Sequence, residues 1–135
     1  MRLEIRAFKN EPYHIVNLCF TGIIMLIFIY SGIFSAEENN HPIKSACGTY
    51  ALGPCKSIGL SRGFSEIVRF NFESAMTYNR NSIRIFAFFL VQLLMRVLSS
   101  LLLYKSLLSM KRLVLIDSMF SVFLYVFCFW DIIVP

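Results

Sequence analysis

The chain has 135 residues, enough for one domain, of which 57% are hydrophobic and 16% charged, with a net charge of +5. A soluble domain of this size could not bury so many Phe, Leu and Ile side chains. The positive charge carries no basic–aromatic binding pattern, so a nucleic-acid partner is not expected. What remains is a single integral membrane domain over 1–135. The expected fold is all-α: three transmembrane helices, with an interfacial amphipathic helix between the first and second.

The first apolar run is Ile15 to Phe34, twenty residues without a charge. At 1.5 Å per residue such a helix spans about 30 Å, the thickness of a bilayer core. Arg2, Arg6 and Lys9 precede it, as they would a secretory signal. Twenty residues is long for a signal core, however, and Phe34-Ser35-Ala36 puts a bulky residue where cleavage needs a small one. An uncleaved anchor is the expected reading. Cys19 within it, like Cys128 near the other end of the chain, reads as a small core residue.

Residues 35–46 are polar and contain Pro42, and residues 47–60 carry Gly48, Gly53, Pro54 and Gly59, a pattern of loops and tight turns. From Ser61 the pattern becomes helical. Phe64, Ile67, Val68, Phe72, Ala75 and Met76 fall on one face, and Arg62, Glu66, Arg69 and Glu73 on another, at spacings that permit ion pairs. A stripe of this kind suits a helix in the membrane interface, and equally one packed on the chain's own spans. A break near Asn71, with Asn71 capping a second short helix over Phe72 to Tyr78, is compatible with the spacing. Asn79 suits the exit turn.

The second span is expected at about Ile83 to Tyr104, interrupted by Arg84, Gln92 and Arg96. The third is expected at about Leu113 to Val134, with Asp117 and Asp131 near its ends. A charge deep in a span costs about 2.5–3.5 kcal/mol on insertion scales unless it finds a partner. A hairpin turning at 108 or 109 places Asp117 opposite residue 100, about 6 Å along the axis from Arg96. An intramembrane ion pair Arg96–Asp117 is therefore expected. A structural role is favoured over ion conduction or proton relay.

Three features of the outer segment carry candidate chemistry. Cys47 and Cys55 form a candidate disulfide; free thiols and metal ligands remain alternatives, although His41 supplies only a third ligand where zinc normally takes four. Gly59, Ser61 and Arg62 mark a candidate phosphate or partner site, with Ser61 as the helix cap and Arg62 beside the anion-attracting amino end. A plain capped helix explains the same residues. A serine nucleophile would need His41 as base, and nothing in the spacing supports that. No catalytic residue, metal site or cofactor is expected.

The same loop resembles a bacterial family of small membrane proteins catalogued as domain of unknown function 2752. Cys47 is similar to that family's upstream cysteine, Leu52-Gly53 to its turn and Cys55 to its first motif cysteine. Gly59-Leu60-Ser61-Arg62 resembles its Gly-x-Thr-Arg element, Arg69-Phe70-Asn71-Phe72 its Arg-Gly-Asp-Phe variant, and Asn79 the Asn of its Asn-Pro. Ile58 stands in place of the second motif cysteine, Pro54 precedes Cys55 instead of following it, and Arg80 replaces proline. The resemblance implies a bacterial membrane location and brings no established activity.

The expected partners are membrane lipids and other membrane subunits or further copies of the chain. The expected role is a non-enzymatic accessory or assembly subunit, the alternative a lipid-headgroup-binding or lipid-modifying protein at the outer face. Basic residues set the orientation. Arg2, Arg6, Lys9, Lys105, Lys111 and Arg112 crowd two short segments, whereas Lys44, Lys56, Arg62, Arg69 and Arg80 are spread over 35–82. The denser side is expected to be cytoplasmic. A reporter fused after Pro135 should then register the extracytoplasmic compartment and one inserted near Ser109 the cytoplasm; the reverse pattern would invert the orientation.

Overall fold

The computed structural model describes residues 12–37, 56–104 and 109–134, and these are all-helical, with no strand among them. Three long helices, α1 (Pro12–Ile33), α4 (Ser82–Tyr104) and α5 (Met110–Ile133), are long and apolar enough to cross a membrane. Between the first two lie α2 (Leu60–Val68) and α3 (Phe72–Tyr78). The long helices start at 12, 82 and 110, where hydropathy alone suggests 15, 83 and 113. A helix needs no apolar side chain in its first turn. Pro12 suits that position, because its missing N–H has no helical partner there in any case.

The central element is α4, which packs against α1, α2, α3 and α5. Buried residues recur in steps of seven: Asn17, Ile24 and Ser31 on α1, and Ile85, Gln92 and Ser99 on α4. That repeat keeps one narrow seam of each helix facing its neighbour. Only 17% of the most apolar stretch of each span is buried within the chain. In lipid, apolar contact alone gives little drive for helices to associate, so small residues and polar contacts at the seam carry more weight.

On one side of the bundle, α2 and α3 form a platform. Phe64 and Ile67 are buried, and the Phe64 ring stands edge-on to Phe86 at 5.3 Å. The apolar stripe of α2 thus packs on the chain's own spans. In α3, Ala75 is buried while Phe72 and Met76 stay exposed. Small residues permit the close approach. A Cβ on Gly63 would lie 2.1 Å from Ser82 Oγ, and one on Gly59 would lie 2.4 Å from the Tyr78 carbonyl oxygen.

The entry to α2 corrects an expectation. Its N-cap is Gly59, at φ 82°, and no side chain caps the helix. The space beside Tyr78 admits no side chain, so glycine takes the cap and Ser61 lies exposed inside the first turn. Asn71 does occupy the N-cap of α3, but its amide donates to Glu66 Oε2 (3.0 Å) and does not cap that helix.

The exit from α2 has a defined motif. Asn71 N–H donates to Glu66 O and Phe70 N–H to Ile67 O, both at 2.9 Å. These are the two bonds of a Schellman C-cap, with Phe70 at the left-handed position (φ 64°) usually held by glycine. A side chain there costs about 1–2 kcal/mol.

Two basic side chains moor the platform to the spans. Arg69 donates to the carbonyls of Ser65 (2.8 Å), Gly32 (3.2 Å) and Ser31 (3.5 Å), closing the last turn of α1. Lys56 Nζ donates to the carbonyls of Asp131 (2.8 Å) and Val134 (2.9 Å) at the end of α5. Neither span has a basic residue in its own last turn, so both receive their cation from the platform. Asn79 completes the join. Its amide donates to Lys56 O and Ile58 O, and its Oδ1 accepts from Asn81 N–H.

The Gly63–Ser82 contact yields a stability prediction. Gly63→Val should lower the melting temperature in detergent, because overpacking at about 1–3 kcal/mol exceeds the helix-propensity gain of a few tenths. Adding Ser82→Gly should recover part of the loss, and no recovery would mean the two backbones do not meet there.

Candidate functional site

The most unusual chemistry lies between the spans. Arg96 projects from the apolar α4 and donates through Nη1 to Asp117 Oδ2 of α5 at 2.6 Å. Both side chains are largely hidden, at 12% and 6% exposure. Tyr13 of α1 donates its hydroxyl to the same carboxylate oxygen at 3.2 Å. Asn17, 1% exposed, lies between α1 and α4. Its Nδ2 donates to Ser100 Oγ (2.8 Å) and to the Arg96 carbonyl (3.0 Å), and its Oδ1 accepts a longer contact from Arg96 Nη1 (3.4 Å). The Phe20 ring lies 5.4 Å from the guanidinium carbon, within cation–π range.

This geometry suits charge neutralisation. Asp117 supplies the countercharge, while Tyr13 and Asn17 bring α1 to the same point. Asp117 Oδ1 and Arg96 Nε have no hydrogen-bond partner among the described residues. One turn further along, Ser121 Oγ donates to Gln92 Oε1 at 3.3 Å. A further turn along, the Phe88 ring meets Tyr125 (6.3 Å) and Phe129 (5.3 Å) edge-on. Beyond that aromatic block, Arg84 pairs with Asp131 on the platform side. Polar groups therefore occupy both ends of the α4–α5 seam, and Phe88 separates them.

The pairs across the α4–α5 seam bracket the expected turn: 96–117 and 92–121 are centred between positions 106 and 107, 84–131 between 107 and 108, and 88–129 between 108 and 109.

The other sequence-derived residues fall elsewhere. Gly59 forms the turn into α2, Ser61 is exposed and Arg62 is half-buried, all on the platform and away from Arg96 and Asp117. The candidate disulfide partners Cys47 and Cys55, and His41, lie outside the described residues. Cys128 is buried and Cys19 exposed, both as free thiols. Cys19 is thus no core residue, since the α1 seam runs through Asn17, Ile24 and Ser31 and leaves it on the outer face. Among the described residues, no group of three or more His, Cys, Asp and Glu side chains could hold a metal ion.

Sequence reasoning passed over Tyr13, Asn17 and Ser100 in the site, and Lys56 and Gly63 in the platform. Two signals were available: the polar Asn17 within a charge-free run, and the Gly59-x-x-x-Gly63 spacing that marks close helix approach. Comparison with known proteins adds no relative: no family model, curated protein or solved structure matches the chain. The fold and its apolar helices define a multi-pass membrane architecture.

A double-mutant cycle tests the ion pair. Arg96→Leu or Asp117→Asn alone should cost about 3 kcal/mol or more, because each leaves a buried polar or charged group unpaired. The double variant should recover much of that loss when unfolding is followed in detergent. Additive losses would show that the two charges are not coupled.

Proposed function

We propose that this protein is a non-enzymatic accessory or assembly subunit of a membrane complex. The carrying observation is the surface of α5. It meets α4 through Asp117, Ser121 and Phe129, buries Leu113 and Cys128, and leaves a broad aromatic face uncovered. A groove of about 350 Å³, lined by Arg84, Phe123, Val126, Phe127 and Trp130, runs along that face. Aromatic rings bring large contact area at low entropic cost, which suits helix–helix association. The resemblance of Gly59-Leu60-Ser61-Arg62 and Asn79 to the bacterial family supports a bacterial inner-membrane location. The distribution of basic residues supports a cytoplasmic N-terminus and an extracytoplasmic C-terminus, with the platform outside.

A second reading, lipid-headgroup binding or modification at the outer face, is favoured by Arg62 in the first turn of α2, beside the exposed Ser61. Helix amino ends attract anions, and arginine matches the geometry of phosphate.

Purification in mild detergent separates the two. A subunit should elute with a second membrane protein at fixed stoichiometry, and Phe127→Ala with Trp130→Ala should release it. Arg62→Ala should then leave the complex intact. If instead the chain elutes alone, and Arg62→Ala reduces the anionic phospholipid retained, the lipid reading replaces the first.

A further inference from the structure

We propose that Phe70, together with Phe72 and Met76, is an anchor that inserts into the headgroup–acyl boundary of the bilayer at the level where α1 ends. The proposal rests on the membrane-spanning architecture and is independent of whether a partner subunit exists. Phe70 holds the left-handed position of the α2 C-cap, where glycine is the unstrained choice. Its side chain is nevertheless 81% exposed, so the ring gains little within the chain to offset that backbone conformation. Among the described residues its one ring contact is edge-on to Phe72 at 6.5 Å, and Phe72 is itself exposed. A strained aromatic displayed in this way points to a use outside the fold.

Depth and direction identify the lipid. The preceding residue, Arg69, grips the carbonyls of Ser31 and Gly32, so Phe70 is held beside the last turn of a membrane span. Aromatic side chains at that depth sit at the border between hydrocarbon and headgroups. Helix α3 has the matching orientation. With successive residues about 100° apart, Phe72 and Met76 lie together on one side of Ala75, which is fully buried, while Glu73 and Thr77 lie opposite it. A helix with its apolar flank beside the spans and its polar side turned away has the arrangement of an interfacial segment.

The test uses the full chain in vesicles of phosphatidylcholine and phosphatidylglycerol. Trp130, the sole tryptophan, is first removed as Trp130→Phe, and a single probe is introduced by Phe70→Trp. Insertion predicts blue-shifted emission, protection from acrylamide, and stronger quenching by lipids brominated near the carbonyl end of the acyl chain than near its methyl end. Water-like emission quenched by acrylamide would overturn the proposal. So would blue-shifted emission that brominated lipid leaves untouched, because the ring would then be covered by protein. Should Phe70→Trp not fold, Phe72→Trp in the same background reports on the same surface. Phe70→Gly supplies the second arm: its melting temperature in detergent should equal or exceed that of the unsubstituted chain. A clear drop would make the ring structural and end the proposal.

Discussion

A guanidinium inside an apolar helix has to be neutralised, and the neutralisation of Arg96 organises the spans. The countercharge comes from α5 through Asp117, while Tyr13 and Asn17 bring α1 to the same point. Among the described residues, α1 and α5 otherwise make little contact; each packs mainly against α4 or the platform. The cluster is therefore where all three spans meet, and it sets one register for the bundle. Apolar packing in lipid discriminates weakly between registers a turn apart. Sliding α5 by one turn would carry Asp117 about 5.4 Å along the axis, stretching its 2.6 Å contact with Arg96 and weakening the pairing of two largely buried charges.

The platform is held by different physics. Gly59 and Gly63 let α2 approach Tyr78 and Ser82 more closely than any side chain would allow. Asn79 then ties the turn at 56–58 to the turn before α4. None of these contacts depends on charge. Charge enters at its edges, where Lys56 and Arg69 meet the carbonyl ends of α5 and α1.

The legibility of the chain follows from this division. Long apolar runs are an unambiguous signal, and the three spans and the division of 60–78 into two short helices could be read from hydropathy and spacing. Arg96 and Asp117 were visible because charge in such runs is costly and rare. Asn17 stood out only as a polar residue in a charge-free run, and neither it nor Tyr13 bears any mark in the sequence of what it will touch. The serine at position 61 looked like a cap on local grounds. Its displacement by Gly59 is a tertiary effect, imposed by the Tyr78 carbonyl from nearly twenty residues away. The moorings of Lys56 and Arg69 to backbone carbonyls have no sequence pattern at all, since a carbonyl acceptor exists at every residue.

Those moorings also impose an order on assembly. Arg69 lies less than forty residues from the carbonyls it grips, and both partners exist once α2 has been made. Lys56 must wait for carbonyls 75 and 78 residues further along the chain. During synthesis, which proceeds from the N-terminus, the platform is first tethered to α1 alone. It becomes a crossbar between α1 and α5 only after α5 has turned back alongside α4. Closing that last contact is thus a structural mark that the third span is in place.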